Sequence, residues 1–102
     1  MAHFDLYRNA RSTRLPFIVD VQTDFLSRLT TRVVIPLTPL GSYGARPITR
    51  LHPVVNVEGV PHVLLTNELA AVPASTLRSP VGSLLAERST MIRALDLLFT
   101  GS

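Results

Sequence analysis

Arginine carries all the basic charge of this chain: there are ten basic residues, every one an arginine, and no lysine. A guanidinium makes planar, bidentate contacts to carboxylates and phosphates, which an ammonium does not. Three of the ten stand in one polar run, RNARSTR at residues 8–14. That run reads either as a solvated hairpin loop or as a cationic loop able to grip an acidic peptide or a phosphate. His3, His52 and His62 lie on three separate segments without metal-ligand spacing. His62 sits inside an apolar stretch, where a hydrogen-bonded packing histidine is the simpler reading. No metal site and no cofactor is expected. No Gly-rich phosphate loop, nucleophile elbow or helical metal motif occurs. The seven acidic residues are scattered, so an acid–base pair, such as Glu87 with an arginine, would have to be assembled by the fold. Four phenylalanines and two tyrosines are too few for a base-stacking platform among basic residues. Asp20 stands out differently. It falls among apolar neighbours and, if buried, must find hydrogen bonds or an arginine.

The elements that would place these residues are mostly strands. Ala2–Tyr7 alternates partly, with Phe4 and Leu6 against His3 and Asp5, and reads as an edge or hairpin strand. Leu15–Val21 is a strong strand with Pro16 near its start; Phe17, Val19 and Val21 share one face, and Ile18, Asp20 and Gln22 the other. Thr23 and Asp24 end it in a short turn. The adjacent Phe25 and Leu26 cannot both point inward there, so one is a candidate exposed contact. Thr31–Leu37 reads as a central strand stopped by Pro36 and Pro39. Residues 38–47, with prolines, glycines and Tyr43, form a loop with one helical turn. Residues 53–57 and 60–66 are strands of a hairpin closed by Glu58-Gly59, close to the Asp-Gly turn signal. Residues 71–75 contain a proline that interrupts pairing, and Leu77 extends a last short strand. Ser79-Pro80 is a helix-start signal, the serine capping and the proline filling the first turn.

The last sixteen residues, Glu87–Ser102, read as one helix. Leu84, Leu85, Met91, Ile92, Leu95, Leu98 and Phe99 recur at helical spacing on one face, opposite Ser89, Arg93 and Asp96. Leu97 is apolar yet off the stripe. The helix is expected to pack on the core and to present its free end, Thr100, Gly101 and Ser102. The sequence of 102 residues, 46% hydrophobic, suits a single domain spanning 1–102 with one modest core. The package expected is mainly β, a small curled sheet or partly open barrel with a closing C-terminal helix. Apolar runs fall far short of the ~20 residues that cross a bilayer, and no secretory h-region is visible. With no cysteine, a cytoplasmic setting is expected. The net charge of +3 is modest; an acidic protein partner suits it better than nucleic acid.

Several stretches resemble the CcdB family of toxins from bacterial toxin–antitoxin modules. They are FDLYRN (4–9), FIVDVQTDFL (17–26), VVIPLTPL (33–40), HPVVNV (52–57), LLTNELAAVPAS (64–75) and IRALDLLFTG (92–101), in the family's order and spacing. The resemblance implies an SH3-like small barrel with a long C-terminal helix, forming a homodimer. It implies a non-enzymatic, cytoplasmic bacterial toxin that binds the A subunit of DNA gyrase and traps the cleaved gyrase–DNA complex. A CcdA-like antitoxin would neutralise it through a disordered tail, and operator DNA would be bound only indirectly, through that antitoxin. The gyrase-facing residues carried over are Thr23, Phe25, Leu26, Asp96, Phe99, Thr100, Gly101 and Ser102. In the antitoxin-facing set Arg8, Arg11 and Arg14, Arg14 matches a basic position in the family's first loop, and Arg8 and Arg11 are its neighbours without a match of their own. The best-known family pattern has Trp at the position of Thr100, an apolar residue at that of Ser102 and Asn at that of Asp96. Two alternatives follow. One is a MazF/Kid-type endoribonuclease on the same fold, with Arg32 or Glu58 in its groove. The other is a decayed toxin that acts mainly as an antitoxin-binding co-repressor.

Overall fold

The computed structural model describes residues 2–102. Seven strands occur among them: β1 (Asp5–Arg8), β2 (Phe17–Asp20), β3 (Thr31–Pro39), β4 (Val54–Val57), β5 (Val60–Leu64), β6 (Ala70–Pro73) and β7 (Gly82–Ser83), followed by one α-helix, α1 (Arg88–Thr100). They form one antiparallel sheet in the order β4-β5-β3-β2-β1-β7, with β6 also on β3. The organising strand is β3. One edge carries β2, from Phe17 opposite Leu37 to Asp20 opposite Val34. The other edge is shared: β6 pairs with Thr31–Val34 and β5 with Leu37–Pro39. A strand with two partners on one edge must bend between them, and the sheet curls into a half-barrel.

That division explains Pro36. It lies inside β3 and does not stop it. The C=O of Pro36 accepts from the Leu65 N–H at 3.0 Å, so its backbone polar groups face the edge where β5 and β6 part. The missing N–H falls in the gap between them, where no partner needs it. Pro73 likewise ends β6 without preventing its pairing, opposite Thr31.

Strand alternation sends neighbouring residues to two clusters. Phe4, Leu6, Phe17, Val19, Ile35, Leu37, Leu64, Leu84 and Met91 belong to the main core beneath α1. Tyr7, Ile18, Val34 and Leu77 form a smaller cluster, with Val72 packed against it. Both faces of β1–β3 are therefore covered, which is why β2 is buried at every position. Phe4 enters this core at φ 68, a left-handed conformation unfavourable for a bulky residue. Its N–H donates to the Asp20 carbonyl and its carbonyl accepts from the Leu84 N–H, two bonds that hold it there.

The hairpin forms as its sequence indicates: Glu58 and Gly59 both have positive φ, 54 and 79, the twist-matching turn for two-residue hairpins. The loop after β3 holds a 3-10 turn at Leu40–Ser42. Other boundaries differ. β1 begins at Asp5, and β2 excludes Leu15 and Pro16, which lie in the preceding loop. Leu77 is buried but not in a strand. The helix does not start at Ser79-Pro80. There the Val81 N–H bonds to the Leu6 carbonyl and β7 pairs with β1; sheet pairing and the burial of Leu84 hold this segment extended. The chain turns at Leu85–Glu87, a 3-10 turn whose first N–H is taken by the Ser83 hydroxyl, and α1 follows. Met91 and Ala94 are buried, Ile92, Leu95, Leu97 and Leu98 half-buried, and Ser89, Arg93 and Asp96 exposed. Leu85 and Phe99 were expected on the packing face, but both are exposed. No helix among the described residues is long and apolar enough to cross a membrane.

Candidate functional site

The turn after β2 is built on buried polar groups. The Asp20 side chain is fully buried and meets Arg32 from β3, itself fully buried. Arg32 Nε donates to Asp20 Oδ2 at 2.8 Å, and Nη2 lies 2.8 Å from the same oxygen. Nη2 also donates to the Gln22 carbonyl at 3.0 Å and reaches Asp24 Oδ1 at 3.4 Å. Asp20 Oδ1 accepts from the Gln22 N–H at 3.0 Å. Two ionised groups taken from water need this degree of satisfaction. Burial pushes the Asp20 carboxyl up from its ordinary value, against the pull of the Arg32 hydrogen bond and the Gln22 N–H. Arg32 Nη1 is buried without a partner among the described residues.

Gln22 closes the other side. Its Nε2 donates to the carbonyls of Leu26 at 3.1 Å and Thr31 at 3.3 Å, and its Oε1 accepts from the Val33 N–H at 3.1 Å. The turn is a 3-10 turn, Asp24–Leu26, capped by Thr23, whose hydroxyl accepts from the Phe25 N–H. Held on this base, Phe25 is 95% exposed, with Leu26 and Leu29 about half exposed at 47% and 51%. Either Phe25 or Leu26 was expected at the surface; both are there.

The end of α1 is the second candidate. Gly101 has φ 76, a left-handed cap that favours glycine, and its N–H bonds to the Leu97 carbonyl. The Thr100 hydroxyl donates to the Asp96 carbonyl at 2.7 Å and lies 3.1 Å from the Ser102 hydroxyl. Arg50, at φ 72, donates Nη2 to the Ser102 carbonyl and Nε to the Arg93 carbonyl. A guanidinium at a helix C-terminus complements the helix dipole. Phe99 stands 68% exposed beside this closed end. Thr23, Phe25 and Leu26 thus share one braced turn, and Asp96 and residues 99–102 one helix end. No hydrogen bond or ion pair joins the two groups among the described residues.

Of the three arginines expected to face an antitoxin, Arg8 and Arg11 both border one hollow. A furrow crosses the sheet face opposite α1. One hollow of about 210 Å³ is floored by Ile18, Val34, Pro36 and Val72 and rimmed by Asn9, Arg11 and Glu68. It shares Arg11 and Ile18 with a second, about 110 Å³, reaching Arg8 and Thr76. A third, about 280 Å³, continues past Tyr7 to Arg78 and Val81. Arg14 lines none of these hollows; its carbonyl accepts from the buried Thr38 hydroxyl, which anchors the loop. Arg8 is exposed, 3.7 Å from Glu58 and over the Phe17 ring. The Tyr7 hydroxyl is buried here without a partner among the described residues. Burial, reinforced by the Asp5 charge, raises its pKa. Tyr7 and Arg78 were not foreseen: a strand tyrosine reads as core, and Arg78 is far away in sequence.

The groups considered for other chemistry are placed differently. His62 is a packing histidine, bonded to the Val60 carbonyl at 2.8 Å and edge-on to Phe17. His52 takes the Ile48 N–H and meets Asn67 Oδ1 at 2.8 Å. Arg32 is sealed from solvent and cannot serve as a groove arginine acting on RNA; Glu58 sits on the exposed hairpin turn. Glu87 is half-buried on the 3-10 turn before α1. A family model described as CcdB protein matches residues 3–101.

Proposed function

The chain belongs to the CcdB family, and from that premise we propose that it is the toxin of a type II toxin–antitoxin module acting on the A subunit of DNA gyrase. One observation carries the reading most directly: Phe25 is almost wholly exposed on a turn whose base is tied by buried polar groups. A rigidly held exposed aromatic costs solvation and returns nothing to the fold, so a binding role accounts for it. Phe99 on the capped helix end is a second anchor. Thr23, Leu26, Asp96, Thr100, Gly101 and Ser102 would surround the two. A homodimer would present each set twice. The protein makes no covalent change in this reading; it holds the enzyme in its cleaved complex with DNA.

The antitoxin would lie in the furrow across β1–β3 and β6. Arg11 and Arg78 suit an acidic tail, and Ile18, Val34 and Val72 suit its apolar side chains. Binding to operator DNA would follow only through the antitoxin.

Purified protein added to gyrase and supercoiled DNA should accumulate cleaved complexes. Unimpaired supercoiling without cleavage, using the host enzyme, would overturn the proposal. A second reading, a decayed toxin retained for antitoxin binding, is favoured by the helix end. The Thr100 hydroxyl donates to the Asp96 carbonyl and lies beside the Ser102 hydroxyl, leaving Phe99 as the aromatic of the helix end. Expression without antitoxin separates the two, since only an active toxin arrests growth.

A further inference from the structure

We infer that Gln22 and Arg32 are positioning residues that fix the turn Thr23–Leu26 in the conformation it presents to a partner. The inference rests on the gyrase reading for the identity of that partner, but the geometry stands on its own. A solvent-exposed turn between two strands needs no buried amide to close it. Here one side chain bonds three backbone groups of the connection: the Leu26 and Thr31 carbonyls and the Val33 N–H. Its own backbone is held from behind, the N–H by Asp20 and the carbonyl by Arg32.

The arrangement links core to surface by a short route. Arg32 is anchored to Asp20 in the interior, and the same Nη2 reaches Asp24, which lies between Thr23 and Phe25 and is exposed. A change in Gln22 therefore acts on Leu26 directly, and a change in Arg32 acts on Asp24 and on Gln22 itself. Neither side chain is accessible enough to touch a partner: Arg32 is fully buried and Gln22 9% exposed. Any effect they have on binding must pass through the turn. Apolar packing cannot substitute, because Phe25, Leu26 and Leu29 all face solvent and contribute little to holding their own backbone.

The test uses the full chain with three substitutions. Gln22→Glu removes both Nε2 donors while keeping an acceptor for Val33. Gln22→Met keeps the side-chain length without charge and reads the same loss if the glutamate variant does not fold. Leu77→Ala removes packing from the smaller cluster and serves as a control for general destabilisation. Amide hydrogen exchange at Leu26, Leu29 and Val33 is measured beside affinity for the gyrase A subunit. Both Gln22 variants should speed exchange at these amides at least tenfold relative to the β1–β2 amides and weaken gyrase binding at least tenfold. Leu77→Ala should lower the melting temperature without either change. Unaltered turn exchange in the Gln22 variants, or equal loosening in Leu77→Ala, would overturn the positioning role. A wild-type protein that fails to bind gyrase would overturn the gyrase reading, while the exchange data still decide the positioning role.

Discussion

Tyr7 and Arg32 are both buried polar residues, and the fold treats them oppositely. Arg32 finds Asp20, Asp24 and a backbone carbonyl; removing it would leave the Asp20 carboxylate desolvated and alone. Arg32→Met should therefore cost about 3–5 kcal/mol in urea unfolding, and a loss below about 1 kcal/mol would mean the pair is not holding β2 to β3. The Tyr7 hydroxyl has no partner to lose. Tyr7→Phe should leave stability unchanged or raise it by about 1 kcal/mol, read from the same urea unfolding. The same substitution has a pH signature. Burial raises the Tyr7 pKa in the folded state, so the folded protein keeps a proton the unfolded chain releases. The stabilisation is full below the unfolded value of about 10 and is lost as pH rises through the folded value. Tyr7→Phe should flatten that alkaline decline, as measured by urea midpoints across the range.

Among the elements, the β4–β5 hairpin and the end of α1 make contrasting cases. Glu58 occupies a left-handed position that asparagine tolerates better, and its ion pair with Arg8 is exposed and long at 3.7 Å. Such a pair contributes little. Glu58→Asn should stabilise by about 0.5 kcal/mol, read as a shifted denaturant midpoint with unchanged slope. At the helix end, the bonds of Thr100, Gly101 and Ser102 are all exposed. Deleting residues 100–102 should abolish gyrase binding at a stability cost of no more than about 1 kcal/mol. A truncated chain that unfolds would show instead that the Arg50 contact and the glycine cap hold the helix on the sheet.

At the scale of the whole molecule, the sheet covers one face with α1 and leaves a furrow across the other. Ion pairs among the described residues engage only Arg8 and Arg32, so most of the arginines present their charge to solvent. Association with an acidic tail should weaken as ionic strength rises, whereas the apolar contacts proposed for Phe25 and Phe99 with gyrase should respond much less. Sedimentation equilibrium should return twice the chain mass of 11.2 kDa if the toxin acts as the homodimer proposed. A monomer that still poisons gyrase would separate activity from dimerisation.

The residues themselves determined the two-face alternation of β2, the Glu58-Gly59 hairpin, the amphipathic stripe of α1 and the need of Asp20 for a partner, because each follows from local periodicity or local chemistry. The exposed pair Phe25-Leu26 was half legible: a tight turn rules out two inward neighbours but does not say that neither points in. Pro36, Ser79-Pro80 and Tyr7 could not be read locally. Whether a proline breaks a strand depends on which edge its missing N–H faces. Whether Ser-Pro starts a helix depends on whether a neighbouring strand claims that segment first. Arg32 shows the limit most clearly. Its type made it a candidate for surface chemistry. The antiparallel register instead sets Asp20 opposite Val34, within reach of Arg32, which buries the cation as the strut of an exposed turn. Only the tertiary structure could decide this, because side chains twelve residues apart meet through strand pairing, which no local pattern encodes.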